Sequence, residues 1–304
     1  MHYYFGFDGG ATRCRFVISD ELGELLYEKE GDSSNIYAVG KNAVLETIKQ
    51  LIKEGLNYLS IKKDDLYAGC FGSAGLARDK DLKFFRDFFN SFLPNCSVYI
   101  CSDAEILLVG GLSSLSGLCL IAGTGSVCFG RTESGDIIRS GGFGWRLGDE
   151  GSGWNIANTA IARTLKSKEL RDIETSLEKY IIEFFELEKI EDIISVVNDD
   201  LTTKSNIGNF ANYVTRAAME NDLLALDILK KAGTSLFELV ESVVKRMPIN
   251  HSKKIVIAGG VVKHDKFVRE SFLNNMSHYL ADYEIVLDSS DSALLGSLMI
   301  AHNI

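Results

Sequence analysis

"FGFDGGATR", residues 5–13, closes an apolar run that begins at Tyr3 with an acid, two glycines and a threonine. The residues after the glycines decide the class of the turn. A P-loop would need Gly-x-x-x-x-Gly-Lys-Ser/Thr opening a helix, and a dinucleotide fold Gly-x-Gly-x-x-Gly opening a helix. Arg13-Cys14-Arg15-Phe16-Val17-Ile18 has strand character instead, so Gly9-Gly10 is read as a hairpin between two strands. "IAGTGSVCFG", residues 121–130, repeats the device as apolar strand, Gly-Thr-Gly turn, apolar strand. Two hairpins of one design, one in each half, imply an internally duplicated fold.

Outward from these turns the chain alternates its periods. Short strands are expected over 3–7, 15–19 and 25–29. An amphipathic helix comes after them, in which Val44, Leu45, Ile48, Leu51 and Ile52 recur at helical spacing. Next come a strand and glycine-rich loop (66–77), a helix (79–92) and a strand (97–104). A second set of strands lies over 118–142. Helices dominate from Gly151 to about Met247, then a strand at 255–262 leads to a helix-strand-helix finish. Strands alternating with helices indicate α/β with partly parallel pairing. Leu107-Leu108-Val109 before Gly110-Gly111 predicts a helix that stops at the glycines, and residues 104–116 are expected to act as a hinge.

Composition bounds the function. The 304 residues are 46% hydrophobic and 24% charged, which suits a globular chain of about two domains. A net charge of −10 without a Lys/Arg cluster argues against a nucleic-acid partner, which draws on basic surface to displace counterions. No apolar stretch approaches the ~20 residues that span a bilayer, so no membrane partner and a cytoplasmic location are expected. Cys14, Cys70, Cys96, Cys101, Cys119 and Cys128 sit mostly inside apolar runs with no metal-ligand spacing, and read as buried free thiols. The five histidines are scattered, which leaves neither a metal cluster nor a Ser/His/Asp triad.

Turns of this kind are often no more than turns. As a facing pair, they would present backbone N–H groups and the hydroxyls of Thr12 and Thr124 to a polyphosphate. Asp8 beside such a nest is unfavourable unless a cation lies between, which makes it a candidate Mg²⁺ partner, directly or through water.

This combination resembles the sugar kinase, hsp70 and actin superfamily, and within it the N-acetylglucosamine kinases of the BadF/BadG/BcrA/BcrD group. The stretches that carry the likeness are "DGGATR" (8–13), "SSNIYAVG" (33–40), "GSAG" (72–75), "SDA" (102–104), "IAGTGS" (121–126), "GGFGWRLGDEGSGWNIA" (141–157), "IVIAGGVV" (255–262) and "SALLGS" (292–297). The resemblance implies two ribonuclease H-like domains around a central cleft, the actin-like ATPase fold. They would cover residues 1–110 and 111–289, the latter with a helical insertion, and a helix over about 290–304 would pack back on the first. It implies ATP and Mg²⁺, with Gly9, Gly10, Thr12, Gly123, Thr124, Gly125, Gly259 and Gly260 holding the nucleotide and Asp8 the magnesium. Asn35, Ser73, Gly142, Phe143, Gly144 and Asp149 would hold the sugar. Asp103 would be the base, and a homodimer is one candidate assembly. Departures flank the sugar pocket: Gly142-Phe143-Gly144-Trp145 stands where such kinases often have Gly-Gly-Trp-Gly.

The implied activity is ATP-dependent transfer to the C6 hydroxyl of N-acetylglucosamine or a close relative such as N-acetylmuramic acid, with glucosamine or glucose as alternative acceptors. Such transfer needs in-line placement, charge neutralisation and a base for the alcohol proton. Asp103 ends the apolar strand Val98–Cys101 and suits that base; its plainer reading is a helix cap shared with Ser102. Asp149 and Glu150 open a helix, where acids favour the dipole, while Phe143, Trp145 and Trp154 suit either a pyranose wall or the core. An activator ATPase of a 2-hydroxyacyl-CoA dehydratase would need cysteines in the second half, and none comes after Cys128. A non-catalytic sugar sensor is the remaining alternative.

Overall fold

A computed structural model of the chain describes residues 2–10, 12–76, 78–199 and 202–304; Ala11, inside the first glycine turn, lies outside them. Among the described residues ten strands form two five-stranded sheets. The first contains β1 (Tyr3–Gly9), β2 (Arg13–Ser19), β3 (Leu25–Asp32), β4 (Leu66–Ser73) and β5 (Ser97–Ser102). Its order is β3-β2-β1-β4-β5. The second contains β6 (Gly117–Ala122), β7 (Ser126–Arg131), β8 (Ile137–Gly141), β9 (Lys254–Ala258) and β10 (Glu284–Leu287), in the order β8-β7-β6-β9-β10.

Both sheets share one plan, an antiparallel three-strand ribbon whose first strand continues into two parallel neighbours. Each glycine turn joins the first and second strands of its ribbon, so the two turns occupy equivalent places in the two sheets. The duplication expected from the paired hairpins is present.

Alternation explains the layers. Phe5 and Phe7 on β1, Phe16 on β2 and Phe71 on β4 are fully buried; Phe5 and Phe71 meet Phe85 and Phe89 of the Asp79–Phe92 helix at ring separations of 4.7 to 6.3 Å, and Phe7 lies against Phe16 at 4.6 Å and Phe71 at 5.5 Å. Burying an aromatic side chain contributes on the order of 2–3 kcal/mol, and edge or offset pairing adds to it. On the opposite face, Gly6 meets the Ser292–Ala301 helix: a Cβ there would strike Ser297 and the Leu298 amide. That helix covers Val17 with Leu294 and Leu298.

The Asp103–Leu112 helix departs from the expected hinge. It is regular through Gly110 and Gly111, and ends instead at Ser113, whose left-handed backbone (φ 48°) donates its N–H to the Gly110 and Val109 carbonyls. The glycines serve close approach. A Cβ on Gly110 would collide with the Ser292 carbonyl and the Gly296 amide, and one on Gly296 with the Ile106 carbonyl. The segment between the sheets is therefore a packed helix pair rather than a loop of ordinary sequence.

Candidate active site

The parallel strands β1, β4 and β5 end together. Asp8 pairs with Gly72, Gly9 with Ser73, and Ser73 with Ser102, so Asp8 and the start of the Asp103–Leu112 helix share one edge of the sheet. Ser102 is the helix cap: its Oγ accepts the Glu105 amide at 3.3 Å. The Asp103 carboxylate takes the Ala104 amide, at 3.0 Å, and not the Glu105 amide that Ser102 caps, so the cap does not depend on Asp103. Burial raises the Asp103 carboxyl above the usual aspartate range; the Ala104 amide pulls it down and the Asp8 charge pushes it up. Asp8 is likewise raised by burial, against the pull of Arg15 and Arg13.

Two residues beyond Asp103, Glu105 accepts from Arg131 Nε of β7 at 2.9 Å and from the Tyr99 hydroxyl at 3.0 Å. This buried ion pair, 10% and 7% exposed, fixes the first turn of the helix against the second sheet. Asp103 is thereby held at the junction of the two halves.

Two cavities meet at the second glycine turn. One, of about 350 Å³, is lined by Gly123, Thr124, Gly153, Gly208, Asn212 and Gly260, with Thr215, His264 and Asp265 among its polar groups. The other, of about 380 Å³, lies between the halves and is lined by Gly75, Ser102, Asp103, Thr124, Gly142 and Asp149, with Gly123, Gly125 and Arg139 also on its wall. Gly123 and Thr124 are common to both. A tight turn thus forms the partition, and its exposed Thr124 is accessible from either side.

The other expected site residues are distributed unevenly. Gly260 lines the first cavity. Gly259 precedes it in a left-handed conformation (φ 93°), where a Cβ would strike the Ala122 backbone. Gly10 and Asp8 line a third cavity with Arg13 and Arg15, Gly9 is the last residue of β1, and Thr12 is exposed. The described residues of the first turn therefore line neither of the cavities that meet at the second. Asn35 and Ser73 do not line the Asp103 cavity: Asn35 caps a short helix by accepting the Tyr37 amide at 2.9 Å, and the fully buried Ser73 hydroxyl bonds Ser34 at 2.8 Å. Phe143 is 67% exposed and stands with Gly144 outside the cavity, while Gly142 lines it. Asp149, buried at φ 67°, accepts from Lys204 Nζ at 2.6 Å and the Ser126 amide at 3.2 Å. Trp154 packs partly on the second core while Trp145 is 41% exposed, their rings 5.3 Å apart.

The Asp8 carboxylate takes no side-chain hydrogen bond or ion pair among the described residues, and Asp8 and Asp103 act on each other electrostatically. A cation near Asp8 would relieve both. No group of three or more His, Cys, Asp or Glu able to hold a metal occurs among the described residues. The lone Asp8 carboxylate suits Mg²⁺, which keeps several waters and is commonly held through one or two carboxylates and substrate phosphates.

Sequence reasoning missed Lys204, Arg139, and the first cavity's Gly208, Asn212 and Thr215. None lies in a glycine-rich run. Only the strong helical content of the region beyond Gly151 hinted that it would wall a pocket. All six cysteines are buried and free, as expected, and no helix of the described residues is long and apolar enough to cross a membrane.

Comparison with known proteins adds to this geometry. Residues 5–301 match the model of the BadF/BadG/BcrA/BcrD ATPase family. An N-acetylmuramic acid/N-acetylglucosamine kinase of Clostridium acetobutylicum is 34% identical over 304 residues, covering 100% of this chain and 99% of that protein. An N-acetyl-D-glucosamine kinase of Dictyostelium discoideum is 28% identical over 316 residues, covering 99% and 98%. The solved structure of a Chromobacterium violaceum protein provisionally named an N-acetylglucosamine kinase superposes with a TM-score of 0.70 at 20% identity, covering 97% and 99% of the two chains. The fold is that of the two-domain sugar kinases.

Proposed function

The chain belongs to the BadF/BadG/BcrA/BcrD ATPase family, and from that premise we propose that it is an ATP-dependent kinase transferring the γ-phosphate to the C6 hydroxyl of an amino sugar, N-acetylglucosamine or N-acetylmuramic acid. The observation that carries the reading is the shared wall. Gly123 and Thr124 separate a cavity of nucleotide size from one that Asp103 faces, so a phosphate seated on the turn has a donor side and an acceptor side.

Each residue then has a task. Backbone N–H groups at Thr124 and Gly125 and the Thr124 hydroxyl hold the transferred group, the Gly123 N–H closing the turn on the Gly125 carbonyl at 2.9 Å, while Gly260 leaves room for the nucleoside against bare backbone. Asp103 accepts the acceptor's proton; its raised pKa brings the carboxylate nearer the working pH of a general base. Asp8 would hold Mg²⁺, which when bound supplies charge neutralisation on the phosphates. Asp149 and Gly142 line the acceptor side; Asn35 and Ser73 would approach it from the first half.

The test is ADP release with N-acetylglucosamine, N-acetylmuramic acid, glucosamine and glucose in turn, with phosphorus-coupled NMR of the product. Sugar-dependent ADP release and a 6-phosphate are expected. Release that no sugar stimulates overturns the proposal.

A further inference from the structure

The acceptor cavity contains a cation that none of the tasks assigned above occupies. Arg139, on β8, lines it beside Gly142 and Asp149. Its Nε donates to the Gly141 carbonyl at 2.9 Å and its Nη2 to the Gly142 carbonyl, and the guanidinium carbon lies 5.2 Å from the centre of the Phe143 ring. Two carbonyls and an aromatic face orient the fork without neutralising it. Among the described residues Arg139 has no carboxylate partner, whereas Arg131 and Arg163 each sit on acids. Arg246, which donates to the Arg139 carbonyl at 2.8 Å, brings a second positive charge to this strand rather than an acid.

The acids on the same wall are otherwise engaged. Asp149 is paired with Lys204 at 2.6 Å, and the carboxyl of Asp103 responds to Asp8 and the Ala104 amide. The result is an oriented guanidinium, its Nη1 uncommitted, facing the space where the acceptor would bind. A neutral pyranose gains little from that group. A carboxylate gains a charge-assisted, planar contact.

We infer that Arg139 is a specificity-determining residue that selects acceptor sugars bearing a carboxylate substituent, the chemistry of the O3-lactyl ether of N-acetylmuramic acid. This rests on the kinase reading above. It goes further by assigning the choice between an acidic and a neutral amino sugar to one side chain that none of the family motifs includes.

The experiment compares kcat/KM for N-acetylmuramic acid, its methyl ester and N-acetylglucosamine in the wild type, Arg139→Gln and Arg139→Lys. In the wild type the acid is preferred over its ester by about tenfold or more, the scale of a hydrogen bond between charged groups. Arg139→Gln collapses that preference, mostly through KM for the acid, and Arg139→Lys restores part of it by returning the charge without the fork. The ester comparison needs no variant, so it can overturn the assignment even if Arg139→Gln folds poorly, and Arg139→Lys, which keeps the charge and most of the stem, then carries the attribution to this side chain. Equal use of acid and ester by a wild type that phosphorylates N-acetylglucosamine overturns the Arg139 assignment alone. A wild type that phosphorylates none of the three overturns the kinase reading and this assignment with it.

Discussion

At the scale of single residues, Asp103 carries the sharpest expectations. Replacing it by Asn keeps the shape and the cap, since Ser102 does the capping, but removes the proton acceptor. Steady-state assays of Asp103→Asn should show kcat lower by about 10²- to 10⁴-fold, while calorimetry shows little change in sugar affinity. A loss within about threefold of wild type, well under that range, would transfer the role of base to Asp149. Stability should move the other way. A carboxyl whose folded pKa is raised stabilises the fold only while protonated, so its favourable contribution is lost as pH rises through the folded value. Burial of the charged form is the burden that Asn removes. Thermal melts should place Asp103→Asn at or above wild type at neutral pH, with the gap closing on acidification. An unchanged gap at low pH would mean that burial of the charge is not its origin. The place of Asp103, at the end of an apolar strand and the start of a helix, was legible in the sequence; its task as base came from the family resemblance, since the strand end alone suits a helix cap equally well. Arg139 and Lys204 were not legible, because what defines them is tertiary: Lys204 meets an aspartate 55 positions away, and nothing local marks either.

At the scale of elements, the helix pair Asp103–Leu112 and Ser292–Ala301 depends on two glycines. Adding even one methyl at Gly110 or Gly296 drives it into backbone rather than into a movable side chain, and overpacking of this kind costs about 1–3 kcal/mol or more. Denaturant melts of Gly110→Ala and Gly296→Ala should lose at least about 2 kcal/mol, whereas Gly123→Ala, with open space at its Cβ, should lose far less. Equal losses would refute the close-approach account. The same pair shows where sequence reading failed: Gly-Gly after Leu-Leu-Val looks alike whether it stops a helix or lets a neighbour approach, and only the partner helix distinguishes the two. The strands and the two turns were readable because period-two burial and glycine punctuation are local. Lys204→Met probes another tertiary link, since it leaves the buried Asp149 carboxylate unpaired. With Lys204 about 25% exposed, a loss of about 1–3 kcal/mol is expected, below that of a fully buried pair; wild-type stability would show that water replaces the ammonium.

At the scale of the molecule, a ligand in the Asp103 cavity touches both halves, Gly75 and Asp103 from one and Gly142 and Asp149 from the other. It should draw the halves together, as hinge closure does in other two-domain enzymes, and bring the Gly10 turn toward the nucleotide cavity. Small-angle scattering should show a smaller radius of gyration with N-acetylglucosamine and a non-hydrolysable ATP analogue together. Dimensions unchanged at saturation would count against closure. The Ser292–Ala301 helix has a consequence of another kind. It seals Gly6, Val17 and Ile106 of the first half, yet roughly 190 residues separate Ser102 from Ser292. At the ribosome's 5–20 residues per second, that is about 10–40 s of translation. Through that interval the first sheet stands with the part of that face around Gly6 and Val17 uncovered, so the nascent chain has a window in which chaperones and proteases can engage it, and only a polypeptide translated through Ala301 escapes.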